Sequence, residues 1–413
     1  MLELGDRFEL NLLGRIGKDQ LPQEGLPDLD PKIVLGRSLD RFITLVDCYA
    51  MGDMTHRAAP EEPDEVHHKL WAITALVGYR HIEREDDLRF NQVSFRLTHL
   101  NEWLSRSPYA FASNEDGSAS IAYTPPPVLS LSVPGAKLNL GRSLRTSHSR
   151  LTTPGFESHE GIWVELKDRL TLDDIDYRFV RPMRHLMCLA TGQPCEAIAL
   201  EVEIAEEDLD YPGQFQVLTA KALKQEVIPG EIQYDMRFAV DRQNRAPVAK
   251  FEPTVRRWFD IESEFGSVCD LIFSLYEATN TYLEHQMFTA ITAAEALHKR
   301  MHPGSMHLAK RLCALIGYVG EGAAQAVGRD ELWAREIVRE RNGIAHGDRD
   351  RTVDAAKTIR LLASTRMLVE LALLRQLGFP QEDCALMVRH DRTWRYVRQE
   401  LHAVFPALFE TAL

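Results

Sequence analysis

Cysteine is scarce in this chain and never clustered. Six occur among 413 residues (Cys48, Cys188, Cys195, Cys269, Cys313 and Cys384), with no CxxC pair. That spacing excludes a zinc ribbon or a disulfide scaffold as the organising device, and reduced thiols are expected. No run of about 18 apolar residues is present, so neither a membrane-spanning helix nor a membrane partner is expected. Met1-Leu2-Glu3-Leu4-Gly5-Asp6 has neither the basic start nor the apolar core of a secretion signal, and the expected location is the cytoplasm. Internal repeats and low-complexity tracts are absent. So are the P-loop, the dinucleotide fingerprint and the G-x-S-x-G elbow, and no cofactor is expected. Basic residues are outnumbered, 48 Lys+Arg against 61 Asp+Glu for a net charge of -13. That excludes a protein that coats nucleic acid.

What the chain does contain is divided unevenly. From Arg256 onward, 20 basic residues face 21 acidic ones, which leaves 28 basic against 40 acidic before it. The acidity belongs to the N-terminal part, and the C-terminal part has room for a local phosphate site. The length calls for two or three domains. Residues 1–248 read as mostly β. Phe42–Val46, Leu70–Tyr79, Phe90–Leu97, Leu129–Val133, Lys137–Leu140, Ile162–Leu166 and Ala197–Val202 are β-branched or alternating runs set between Gly, Pro, Asn and Asp clusters. They predict antiparallel sheets in a sandwich or barrel-like domain. One helix is predicted there, Leu172–Thr191, capped by Thr171 or Asp173 and closed by Gly192. Segments 53–68 and 108–127 read as loops.

Past a linker at Asn244-Arg245-Ala246-Pro247, strand signals vanish and residues 249–413 read as an all-α bundle. Helices are expected over Arg256–Tyr276, Tyr282–Met301, Ser305–Val319, Asp330–His346, Thr352–Leu377 and Arg392–His402. The fold class is therefore α+β in two domains.

Arg341-Asn342-Gly343-Ile344-Ala345-His346 carries the chemistry. It joins a permanent cation to the side chain that moves protons near neutral pH. Arg341 lies four residues after Ile337 and three before Ile344, so it shares their apolar side and needs a partner or a groove. His346 follows by five positions, about 140° further round the helix, with Gly347 as the closing residue. A solvated arginine and a capping histidine would give the same string. Glu295 sits at helical spacing from Phe288 and Ile291. It faces the bundle either to orient Arg341 or His346 or to pair with Lys299 or Arg300. His298, His302 and His307 lie among Lys299, Arg300, Lys310 and Arg311 without the ligand set of a metal site, so no metal is expected and the cations are candidates for phosphate contacts.

The string resembles the R-N-x-x-x-H signature of the HEPN superfamily, helical bundles that pair as dimers and include many metal-independent endoribonucleases. Phe288, Ile291, Glu295, Ala296 and Leu297 are similar to the F-x-x-x-x-x-x-E-A-L helix of its ApeA-like branch. The N-terminal half resembles the ApeA N-terminal domain at Gly36–Leu45, Leu76–Tyr79, Phe90–Leu97 with Trp103-Leu104, and Asp176–Gly192. The resemblance implies a cytoplasmic anti-phage ribonuclease acting by abortive infection. Its partners would be RNA, with transfer RNA one candidate substrate, a second copy of the chain, and a phage-derived trigger for the N-terminal domain. Arg341 and His346 would be catalytic, supported by Asn342 and Glu295. The alternative is a non-catalytic dimerising, nucleotide-binding or RNA-binding module whose N-terminal domain does the work.

Overall fold

The structure, a computed structural model, describes residues 2–4, 8–13, 32–56, 65–113, 116–148, 154–205, 213–219, 236–240, 247–277, 281–346 and 354–409. At 2–4, 9–13, 50–56, 65–69, 145–148, 154–157 and 346 it describes the backbone alone. The chain falls into two compact units. One comprises Met1–Thr98, Ser132–Val180 and Ala197–Gly230, the other His99–Leu131, Arg181–Glu196 and Glu231–Leu413.

The strands are β1 (Leu2–Leu4), β2 (Phe8–Leu13), β3 (Ile33–Arg37), β4 (Phe42–His56), β5 (Glu65–Gly78), β6 (Phe90–Leu97), β7 (Tyr109–Ser113), β8 (Ala119–Tyr123), β9 (Leu129–Val133), β10 (Ala136–His148), β11 (Pro154–Leu170), β12 (Ala197–Ile204) and β13 (Gly213–Thr219). Among the described residues, all but β7 and β8 join one sheet in the order β1-β2-β5-β13-β12-β6-β11-β10-β9, with β4 along the other side of β5 and β3 beyond it. The described registers are antiparallel. Alternation builds the sheet. Val93, Phe95 and Leu97 of β6 point to one buried face with Leu138, Leu140, Ile162 and Val164, while Ser94 and Arg96 point to the other. Each such fully buried apolar side chain contributes about 1.5–3 kcal/mol. Phe8, Leu45, Cys48, Ala72 and Ala75 form a second cluster under β2, β4 and β5.

The predicted loops are corrected at two places. The segment 108–127 contains the β7–β8 hairpin, and the ends of 53–68 extend β4 and β5. Polar, turn-rich composition marks such arms as loops, because an exposed two-stranded ribbon buries too little to show an apolar pattern. The predicted helix over Leu172–Thr191 is present as α2 (Leu172–Ile175), a π-helical turn (Asp176–Val180) and α3 (Arg181–Thr191). Thr171 caps it by accepting from Asp174 N at 3.2 Å, and Gly192 ends it at φ 68°, a conformation glycine adopts without strain.

The other helices are α1 (Leu100–Leu104), α4 (Phe251–Glu277), α5 (Leu283–Met301), α6 (Leu308–Val319), α7 (Glu321–Val327), α8 (Asp330–His346), α9 (Ala355–Gln376), α10 (Gln381–His390) and α11 (Arg392–Val404). Gly320 ends α6 and precedes α7, and neither α7 nor α10 was anticipated. Gly347 lies outside the described residues.

At the centre of the helical unit sits Arg237, a residue to which the sequence pattern gave no role. It is fully buried and pairs with Glu370 at 3.0 Å and Asp391 at 3.2 Å. It also donates to Leu189 O, and its guanidinium stacks 3.9 Å over the Trp394 ring. Tyr276 donates to Glu370 at 2.7 Å, and Arg366 binds the same carboxylate at 3.1 Å. Burial opposes the Glu370 charge, but Arg237, Arg366 and the hydrogen bonds of Tyr276 and Trp394 outweigh it, holding its carboxyl below the usual range. One short segment thereby binds α3, α4, α9 and the cap of α11 together.

Candidate functional site

The Arg341–His346 string lies in the last two turns of α8. Trp333, Ala334 and Ile337 anchor that helix by their burial. Two buried hydrogen bonds tie α8 to α9: Trp333 Nε1 donates to Ser364 at 3.0 Å, and Thr358 Oγ1 to Glu340 at 2.7 Å. Position 333 meets 364 and 340 meets 358, so the two helices run antiparallel. The string is therefore carried beside the first turn of α9, where Asp354 caps by accepting from Lys357 N.

The polar residue that α8 turns fully inward is Glu340, not Arg341. Both fit a stripe through Ile337 and Ile344, since three and four residues both return to one side of a helix. Spacing alone could not separate them. Glu340 is buried, whereas Arg341 is half-buried at the edge of the stripe.

Among the described residues Arg341 reaches an exposed ring rather than an ion pair. Its guanidinium lies 5.9 Å from the centroid of Phe288 on α5, a ring 41% exposed, within reach for a cation–π contact. Its Nη1 donates to Asn342 Oδ1 at 3.4 Å, at the long limit for a hydrogen bond. Among the described residues no carboxylate pairs with it. Most of its five N–H donors meet no partner among the described residues. Asn342 is exposed, and the backbone of α8 extends to His346, whose side chain is outside the described residues.

Glu295 is half-buried on α5, two turns beyond Phe288. Among the described residues no ion pair joins it to Lys299, Arg300 or Arg341, and the His346 side chain lies outside them. The structure brings Arg341, Asn342 and Phe288 together and leaves Glu295 without a bond to them.

The basic group near the end of α5 divides differently from expectation. Arg311 is buried and donates to Met306 O, Gly304 O and His298 Nδ1 at 2.9, 2.8 and 3.1 Å. It is spent on holding the α5–α6 turn and is not a phosphate contact. Because arginine only donates, His298 Nδ1 accepts and the ring is neutral. Burial, then His302 and Arg311, push its pKa down. Arg300 donates to Ser267 Oγ at 2.7 Å, while Lys299 is exposed.

A family model described as ApeA N-terminal domain 1 matches residues 3–242, and one described as Apea-like HEPN matches residues 276–383. The second match contains α5, α8 and the whole Arg341–His346 string. No curated protein and no solved structure matches the chain. With the first match covering more than half of its residues, the chain belongs to the ApeA family, joining an ApeA N-terminal domain to an ApeA-like HEPN domain.

Proposed function

We propose that this protein is a metal-independent endoribonuclease that acts in anti-phage defence by abortive infection. HEPN domains are in general of ribonuclease type, and the ApeA-like HEPN match supports a nuclease in a defence setting. The observation that carries the reading is Arg341: a guanidinium fixed on a well-anchored helix, resting on an exposed aromatic ring, with no carboxylate to neutralise it among the described residues.

In this mechanism His346 takes the proton of a ribose 2'-hydroxyl as that oxygen attacks the adjacent phosphorus, or gives a proton to the leaving 5'-oxygen. One P–O bond forms and one breaks, leaving a 2',3'-cyclic phosphate and a 5'-hydroxyl. Arg341 stabilises the charge that builds on the pentacoordinate phosphorane. Asn342 steadies the phosphate or the Arg341 fork, and Glu295 has a supporting role by way of α5. Two chains pair through their helical units and bring two Arg341/His346 sets to one groove. Transfer RNA is the proposed substrate, and the sheet unit holds the nuclease off until a phage-derived trigger arrives.

Incubation of purified protein with total RNA in excess EDTA tests this. Cleavage that persists, gives 5'-hydroxyl ends and disappears in His346→Ala is the expected result. Cleavage that EDTA abolishes, or that His346→Ala and Arg341→Ala leave intact, overturns it. RNA binding without cleavage assigns the chain to the non-catalytic alternative.

A further inference from the structure

The sheet unit contains a cleft of about 970 Å³ that the ribonuclease chemistry does not use. That volume is at the upper end of sites that hold small organic ligands. Ser94, Arg96, Trp163 and Glu201 are among the residues that line it, and cross-strand register shows how it is built. In one row Gly141 pairs with Gly161, Arg96 lies next on β6, and Ala199 pairs with Arg96. Three side chains in that row are a hydrogen or a methyl, so the floor is low around a single cation. The Arg96 stem crosses Gly161: a Cβ added at Gly161 would stand 3.9 Å from Arg96 Cγ. The adjacent row carries Trp163, Ser94, Glu201 and Gln216, each in register with the next. At the rim the Arg41 guanidinium stacks 3.9 Å over the Tyr79 ring.

Arg96 is half-buried and, among the described residues, has neither an ion pair nor a hydrogen bond. Glu201 lines the same cleft without pairing with it. Arg142, also at the cleft, is by contrast already engaged with Glu160 at 3.1 Å. A partly desolvated guanidinium above a glycine floor calls for an anion that the chain does not supply. The half-buried Trp163 and the exposed Tyr79 offer rings for stacking, and Glu201 and Gln216 offer acceptors for amino or hydroxyl donors. The size of the anion follows from charge. The 28 basic and 40 acidic residues before Arg256 repel a polyanion but tolerate a few phosphate charges.

We propose that this cleft binds a free nucleotide, its phosphate on Arg96, its base against Trp163 or Tyr79, and its polar edge read by Glu201 and Gln216. The site lies wholly within the sheet unit, and its occupancy is measured without reference to RNA cleavage.

Calorimetric titration of the full-length chain with AMP, GMP, CMP, UMP and ATP, with adenosine and inorganic phosphate as partial ligands, is the test. At least one nucleotide is expected to bind one per chain and more tightly than either partial ligand. Arg96→Ala should weaken it by about tenfold to a hundredfold, as loss of a charged hydrogen bond does. Arg96→Lys should retain part of the affinity, and Trp163→Leu should weaken binding while leaving the melting temperature of the free protein near that of wild type. Binding of none of the five nucleotides overturns the proposal. So does a nucleotide affinity unchanged in Arg96→Ala, or tighter Arg96-dependent binding of a short RNA than of any nucleotide.

Discussion

Arg237 and Arg341 belong to the same helical unit and have opposite surroundings. Arg237 is enclosed by two carboxylates, a tyrosine hydroxyl, a carbonyl and an indole face. Among the described residues Arg341 donates one long hydrogen bond to its neighbour Asn342 and meets the flank of one ring. A guanidinium surrounded on all sides has its interactions committed to holding the fold. One left open at a rim can transfer its donors to whatever arrives. That difference separates a structural arginine from a candidate for anion binding more clearly than sequence position does.

Removing Glu370 should break the enclosed side of this comparison most severely. Glu370→Ala leaves Arg237 buried beside one remaining carboxylate, a change that costs about 3–5 kcal/mol; chemical denaturation would show it as a lower midpoint with an unchanged slope. The same carboxylate gives a pH signature. Its folded pKa lies below the ordinary 4.5, so its contribution is complete above that value and is lost as pH falls through the folded value. The acid limb of the unfolding curve should therefore shift in the milder Glu370→Gln variant.

On the open side, Arg341→Ala should lower RNA cleavage by about 10²–10³-fold, the usual effect of one lost transition-state donor. The same change should move stability by less than about 0.5 kcal/mol. A variant that unfolds instead would place Arg341 with Arg237. Gly192→Ala tests the wall of the enclosed site. Its backbone is left-handed at φ 68°, and a Cβ there would stand 3.1 Å from an Arg237 nitrogen. A loss of about 1–3 kcal/mol in thermal unfolding is expected. Least should follow from Glu295→Gln, which has no bond to Arg341 to lose. Cleavage should fall by less than about tenfold, the worth of one hydrogen bond. A larger fall, with pH optimum displaced, would make Glu295 a positioning residue for the histidine.

The α+β layout was legible because alternation in β6 and β9–β12 and the 3.6-residue period of α4–α9 are each sustained over many buried positions. The hairpin at 109–123 was not, since its residues are mostly exposed and their composition resembles a loop. The candidate string was legible as a motif, but its geometry was not. Choosing between Glu340 and Arg341 as the inward residue required knowing where α9 presents Thr358. Arg237 was invisible for a related reason. It lies in a short extended segment with no periodicity, and its partners come from positions 189, 276, 370 and 391, contacts that only the tertiary fold brings together.

The helical unit is assembled from three separated stretches of chain, and this bears on when it can first exist. Residues 99–131 leave the ribosome long before Asp391, the last partner of Arg237. At about 5–20 residues per second the interval is roughly 15–60 s. Until then Arg237 has no complete set of counter-charges, and the Asp391 cap of α11 is missing. A helical unit built this way cannot close until most of the chain has been translated.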